Sequence, residues 1–371
     1  MENYSQHNKI IISGGGTGGH IFPAISIANA LKKLQPAVEI LFVGALGRME
    51  MEKVPAAGYK IIGLPISGFQ RKISLGNILV ILKLMYSLVK ARGIIKDFKP
   101  QVAVGVGGYA SGPLLKIASQ KGIPTVIQEQ NSYAGVTNKL LAKKASKICV
   151  AYEEMDRFFS KEKIILTGNP VRQDLEDIAG KEAEAIAFFE LDPTKKTILI
   201  LGGSLGARSV NNSIAGSLEQ LKNAPVQVIW QTGPRYFDEM KLKVDASNAK
   251  NVKVMAFISR MDLAYAAANL VISRAGAGTI SELCLVQKAC ILVPSPNVAE
   301  DHQTKNALAL VAKNAAILIK DAEAQQTLVS SALDLIGKPD ELARLSDNIK
   351  TMAQLGSAKR IALEIFKLIH E

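Results

Sequence analysis

Apolar residues in this chain fall into two alternating kinds of block. Short aliphatic runs without an internal polar position, such as Ile10-Ile11-Ile12 and Val102-Ala103-Val104, predict strands buried on both faces. Between them lie longer stretches with apolar residues at helical spacing, such as Ile21–Leu31. The first half reads strand Lys9–Ser13, a five-glycine turn and a helix, then strands at Ile40–Val43, Lys60–Leu64, Gln101–Gly105 and Pro124–Ile127. This alternation is the βαβ rhythm of a doubly wound parallel sheet.

Around Leu166-Thr167-Gly168-Asn169-Pro170-Val171-Arg172 the rhythm pauses at an Asn-Pro turn, then restarts. Thr197–Leu201 runs into Gly202-Gly203-Ser204-Leu205-Gly206 and a helix, echoing the opening unit. Further strands follow at Val226–Gly233, Val252–Ile258, Leu270–Ser273 and Ala289–Pro294, and a closing helix spans Ala358–His370. The expected fold is α/β, with two Rossmann-like domains, 1–167 and 168–356, facing across a cleft. A length of 371 residues agrees with two cores.

Residues 68–99 depart from this pattern. Ile78, Ile81, Leu82, Met85, Leu88 and Val89 make one helical stripe that packing on the sheet would explain. Leu75, Leu79, Val80 and Leu84 widen the apolar surface beyond one face. Arg71, Lys72, Lys83, Lys90, Arg92, Lys96 and Lys99 surround it, the arrangement of a helix lying on an anionic membrane.

Charge supports that reading. Residues 1–167 hold 22 basic against 10 acidic side chains, and the remainder 23 against 23, so the whole net charge of +12 sits in the first half. Such asymmetry calls for a polyanionic partner. Aromatic residues are only 5% and none interleaves with a basic stretch, which disfavours nucleic acid. Cys149, Cys284 and Cys290 form no disulfide or zinc pattern. The polar N-terminus lacks a leader's apolar core, and no run spans a bilayer. A cytoplasmic protein is expected.

The candidate chemistry sits at the glycine turns. A strand that ends in glycines and opens a helix lets backbone and unpaired helical N–H groups approach an anion. In an open sheet Gly14–His20, Gly105–Ser111 and Gln128–Asn131 would converge at the strands' carboxyl ends. Gly14-x-Gly16-x-x-Gly19 matches the dinucleotide fingerprint, but the second strand ends in Gly44-Ala45-Leu46, without the acidic residue that NAD requires. No Lys-Ser/Thr closes a P-loop. His20 is a cap, a packing residue or a chemical group. In the second half, Gly202–Gly206 and a cation such as Arg172 suit a leaving nucleoside diphosphate. Glu282 at a helix start suits two ribose hydroxyls, or a capping box with Thr279. No Asp-x-Asp clamp for a metal occurs, and no metal or other cofactor is expected.

The segments GGGTGGHIFPA, VGVGGYASGP, EQNSYAGVTNK, TGNPVR, GGSLGARSVN, SRAGAGTISEL and Asp301-His302-Gln303…Asn306-Ala307 carry a resemblance that runs over nearly the whole chain. They resemble the MurG family of bacterial glycosyltransferases. The resemblance implies a GT-B architecture, with helix 357–371 rejoining the first domain. It also implies inverting transfer of GlcNAc from UDP-GlcNAc to the C4 hydroxyl of an undecaprenyl-linked MurNAc-pentapeptide, at the inner face of the cell membrane. It assigns Thr17, Gly18, Gly19, Asn131, Arg172, Ser204, Phe257, Ile258, Glu282 and Gln303 to UDP-GlcNAc. Gly15, Gly16, Gly107, Gly108 and Tyr109 fall to the acceptor pyrophosphate. His20 is the expected base, because a neutral imidazole accepts a proton, and Glu129 is the alternative.

Two positions depart from the family pattern. Gln128 stands where relatives commonly have His and cannot act as a base. Gly278 replaces a bulkier residue. Other readings to be weighed are a GT-B enzyme acting on another lipid such as diacylglycerol, a non-catalytic sugar-nucleotide-binding protein and an NAD oxidoreductase.

Overall fold

A computed structural model describes residues 8–67, 76–203 and 205–370. Gly68–Leu75, with Arg71 and Lys72 of the expected basic rim, and Ser204 of the second glycine turn lie outside the described residues. The chain divides into two compact units, Met1–Val171 with Gly356–Glu371, and Arg172–Leu355.

The first unit holds strands β1 (Lys9–Ser13), β2 (Glu39–Ala45), β3 (Lys60–Leu64), β4 (Val102–Gly105), β5 (Thr125–Glu129), β6 (Lys147–Val150) and β7 (Ile164–Leu166). They form one parallel sheet in the order β3-β2-β1-β4-β5-β6-β7. Helices α1 (Gly18–Leu34), α2 (Glu50–Ala56), α3 (Gly76–Phe98), α4 (Ser111–Gln120) and α5 (Val136–Ala142) connect them. Ile10, Ile11 and Ile12 are wholly buried, alternating between two cores on opposite faces of the sheet. Full burial of such a side chain stabilises by about 1.5–3 kcal/mol, which is why the run stays apolar throughout.

The second unit repeats the plan. Strands β8 (Lys196–Leu201), β9 (Val226–Gln231), β10 (Val252–Met255), β11 (Leu270–Ser273), β12 (Cys290–Leu292) and β13 (Ile317–Leu318) form a parallel sheet in the order β10-β9-β8-β11-β12-β13. Its helices are α6 (Glu182–Phe188), α7 (Arg208–Gly216), α8 (Leu218–Lys222), α9 (Phe237–Ser247), α10 (Met261–Ala267), α11 (Ala277–Val286), α12 (His302–Val311), α13 (Ala324–Ile336) and α14 (Pro339–Lys350). The final helix, α15 (Ser357–His370), belongs to the first unit, where Ile361, Ile365 and Phe366 join the core around β1 and α1.

Helix α3 corrects the sequence reading. Ala91, Ile94 and Ile95 are buried in the sheet's core, with Leu84 and Leu88 partly buried against it, and Val80 is buried too. Ile81, Leu82, Met85 and Val89, a stripe that packing on the sheet would have explained, are instead exposed together with Leu79 and Tyr86, and Val89 is 71% exposed. The helix is apolar nearly all round, so its sequence does not reveal which stripe faces the sheet. The Lys90 ammonium turns inward to donate to the Gly63 carbonyl at 2.8 Å, which removes it from the expected basic rim.

Candidate functional site

In each parallel sheet the strand order reverses at one place, between β1 and β4 in the first unit and between β8 and β11 in the second. Ligands of open α/β sheets bind outside the strand ends at such a switch point. Ser13 is paired with Gly105, and Leu201 with Ser273, so each pair of glycine turns leaves adjacent strand ends.

In the first unit, Gly14–His20 and Val106–Ser111 interlock. Ser13 accepts the Val106 N–H at 2.7 Å and lies 2.9 Å from the Ser111 hydroxyl. Gly107 has φ +89°, and a Cβ there would lie 2.8 Å from the His20 ring. Gly108, at φ +86°, passes so close to Gly15 that a Cβ would lie 2.3 Å from its carbonyl oxygen. Gly15, Gly16, Gly107, Gly108, Thr17, Gly18, Gly19 and His20 therefore share one locality, and Tyr109 beside them is exposed. Gly18 and Gly19 open α1, where the first N–H groups have no intrahelical acceptor.

His20 Nδ1 lies 3.0 Å from the Gly15 carbonyl oxygen and 3.4 Å from the Thr17 hydroxyl. A carbonyl only accepts, so that contact requires the proton on Nδ1. The Gly16 N–H donates to the Glu50 carboxylate at 3.0 Å. Glu50 is fully buried and also accepts the Ala45 N–H at 2.9 Å. Sequence reasoning passed over Glu50; an acidic residue at the start of a short helix looks like an ordinary helix-dipole partner.

Glu129 is 1% exposed. Its carboxylate accepts the Asn131 and Gly135 N–H groups, each at 3.0 Å, and the side-chain amides of Asn131 at 3.2 Å and Asn138 at 2.8 Å. These four donors close the 129–138 loop around the Glu129 carboxylate. Asn131, assigned to the sugar nucleotide, is bound into the same loop. Gln128 is also fully buried and donates to Asn169, whose amide donates to the Gln130 carbonyl. Gln130 in turn donates to Val106, tying this loop to the second glycine turn.

In the second unit, Glu282 lies in the second turn of α11 rather than at its start, and Gly276, not Thr279, is the N-cap. A capping box is therefore excluded. The Glu282 carboxylate sits 3.7 Å from Arg172 Nε and accepts the hydroxyl of wholly buried Tyr265 at 3.0 Å. Burial pushes its carboxyl up from the ordinary range, opposed by Arg172 and the Tyr265 hydrogen bond. Phe257 is exposed, whereas the Ile258 side chain is buried and its N–H is held by Gln231 at 3.2 Å. Gln303 accepts the Ser295 N–H at 2.8 Å, fixing the loop after β12. Asp301 adjoins α12 with φ +52° and accepts the Thr304 hydroxyl, making no side-chain cap.

Arg274, just after β11, joins the two second-unit turns. It donates to the Val293 carbonyl at 3.0 Å and the Ser209 hydroxyl at 2.8 Å and is ion-paired with Asp321. These contacts tie the start of α7 to the turn that precedes α11.

Residues 10–150 match the family model described as the glycosyltransferase family 28 N-terminal domain, and residues 197–361 match the one for its C-terminal domain. A protein of Parabacteroides distasonis named UDP-N-acetylglucosamine--N-acetylmuramyl-(pentapeptide) pyrophosphoryl-undecaprenol N-acetylglucosamine transferase is 62% identical over 97% of this chain and 98% of its own length. A protein of the same name from Phocaeicola vulgatus is 63% identical over 97% and 96%. The crystal structure of Acinetobacter baumannii MurG is similar with a TM-score of 0.78 and 27% identity, covering 97% of this chain and 99% of that one. With both of its sheets matched and the switch-point turns in place, the chain belongs to glycosyltransferase family 28.

Proposed function

We propose that this chain transfers GlcNAc from UDP-GlcNAc to the C4 hydroxyl of undecaprenyl-pyrophosphoryl-MurNAc-pentapeptide, with inversion at the anomeric carbon. The observation that carries the reading is the near-full-length identity of 62% to a relative of that name. The switch-point turns supply chemistry that fits it.

In this reading His20 Nε2 takes the proton of the acceptor hydroxyl while that oxygen attacks the anomeric carbon and the bond to UDP breaks. Nδ1, committed to Gly15, keeps the ring in the accepting tautomer. The helix starts of α7 and α11 meet the charge that develops on UDP. Glu282 accepts the ribose hydroxyls, and exposed Phe257 lies against the uracil beside Ile258. Thr17, Gly18, Gly19, Asn131, Arg172, Ser204 and Gln303 are further donor contacts. The acceptor pyrophosphate lies at Gly107, Gly108, Tyr109 and the first turn of α1; Gly15 and Gly16 shape that turn, since the Gly16 N–H is committed to Glu50.

The acceptor's lipid requires a membrane surface. Among the described residues no helix is long and apolar enough to cross a bilayer. The exposed face of α3, with Leu79, Leu82, Met85, Tyr86 and Val89 and with Lys83 beside them, supports peripheral docking on the anionic cytoplasmic leaflet. The test is incubation with UDP-GlcNAc and either the muramyl lipid or diacylglycerol in detergent. UDP release with the muramyl lipid alone is expected; release with diacylglycerol alone would replace this reading with the second lipid glycosyltransferase.

A further inference from the structure

We propose that Glu50 is a positioning residue for His20, acting through the single peptide unit that joins Gly15 to Gly16. The proposal rests on the reading of His20 as the base. A trans peptide is a rigid plate whose C=O and N–H point in opposite directions. On one edge of this plate the Gly16 N–H donates to Glu50 Oε2 at 3.0 Å. On the other, the Gly15 carbonyl accepts from His20 Nδ1 at 3.0 Å. A buried carboxylate and an imidazole thus share one plate.

The plate cannot turn freely. Glu50 Oε1 is anchored by the Ala45 N–H at 2.9 Å. A Cβ at Gly15 would lie 2.1 Å from the Glu50 carboxylate, and one at Gly44 would lie 2.5 Å from its side chain. Gly108 closes over the Gly15 carbonyl from the other side. An N–H that donates to a carboxylate polarises its amide and makes the attached carbonyl a stronger acceptor. The result is a neutral His20 held in the Nδ1–H tautomer, with Nε2 unprotonated. A carboxylate that only complemented the α2 dipole would need neither contact with the loop and would leave the tautomer unspecified.

The experiment is 15N NMR of the full-length protein, above the pH at which the imidazole loses its charge, with the His20 signals assigned by their loss in His20→Gln. The unaltered protein is expected to show protonated Nδ1 and bare Nε2. In Glu50→Gln one carbonyl oxygen faces two N–H donors. Mixed tautomers are expected there, with GlcNAc transfer falling about 10- to 100-fold while UDP affinity and donor KM stay within about 2-fold. A predominant Nε2–H tautomer in the unaltered protein overturns the proposal, and so does Glu50→Gln with unchanged tautomer and turnover. Should Glu50→Gln not fold, the spectrum of the unaltered protein still decides. The expected tautomer in a protein that transfers no GlcNAc would count against the assigned reaction and not against the Glu50 contact.

Discussion

Tyr265, wholly buried on α10, donates its hydroxyl to Glu282 on α11 at 3.0 Å, and Arg172 approaches the same carboxylate at 3.7 Å. These two groups hold an acidic side chain that burial would otherwise neutralise. In the proposed reading the ionised form accepts the donor's ribose hydroxyl hydrogens. The Glu282 pKa is raised above the ordinary carboxylate value near 4.3, so UDP affinity should fall on acidification at a higher pH than an exposed Glu would set. Tyr265→Phe should move that limb to still higher pH, with Arg172 and Asp174 as the remaining charged neighbours. Glu282→Gln should weaken UDP at neutral pH by about 10- to 100-fold. Calorimetric titration with UDP across pH checks all three.

Gly107 is packed against the His20 ring. Its φ of +89° and the 2.8 Å approach of a Cβ to the His20 ring make Gly107→Ala both strained and obstructive. Transfer should drop by about 100-fold or more, with UDP affinity unchanged, because the donor residues of the second unit are untouched. Steady-state kinetics paired with UDP titration separates the two effects.

Asp262 at the start of α10 is bonded to Arg260 at 2.9 Å and Lys181 at 3.1 Å, and these cations hold its carboxyl well below the usual range. A depressed carboxylate contributes stability above its unfolded pKa, near 3.9, and loses it as pH falls towards the folded value. Arg260 and Lys181 are 42% and 30% exposed, which screens the pairs. Asp262→Asn should therefore destabilise by only about 1–2 kcal/mol at neutral pH. The gap to the unaltered protein should narrow below about pH 4. Thermal unfolding at a series of pH values measures this.

The exposed face of α3 should bind vesicles. Leu82→Asp with Val89→Asp should reduce sedimentation with anionic vesicles by about 10-fold or more. Lys83→Glu should have a smaller effect that disappears at high salt. Equal binding to neutral and anionic vesicles would count against a role for the basic residues.

Ten strands of the two sheets were legible as short, mostly apolar runs, whereas β6, β7 and β13, each four residues or fewer, were not; the turns were legible from the glycines that follow the switch-point strands. The convergence of Gly14–His20 with Gly105–Ser111 followed from sheet topology alone. The inward stripe of α3 was not legible, because Val80, Leu84 and Leu88 compete with equally apolar Ile81, Met85 and Val89. Glu50 and Tyr265 were missed for another reason. Each acts on a residue far away in sequence, Gly16 and Glu282 respectively, and no local spacing encodes such a contact. The four donors around Glu129, drawn from Asn131, Gly135 and Asn138, were likewise not legible in the local spacing.

The most direct measurement is the anomeric configuration of the product by NMR, after incubation with UDP-GlcNAc and the undecaprenyl-linked MurNAc-pentapeptide. The account predicts GlcNAc joined to the C4 oxygen of MurNAc with configuration opposite to that in the donor, and no such product from His20→Ala. A product that keeps the donor's configuration, or full activity in His20→Ala, would contradict it.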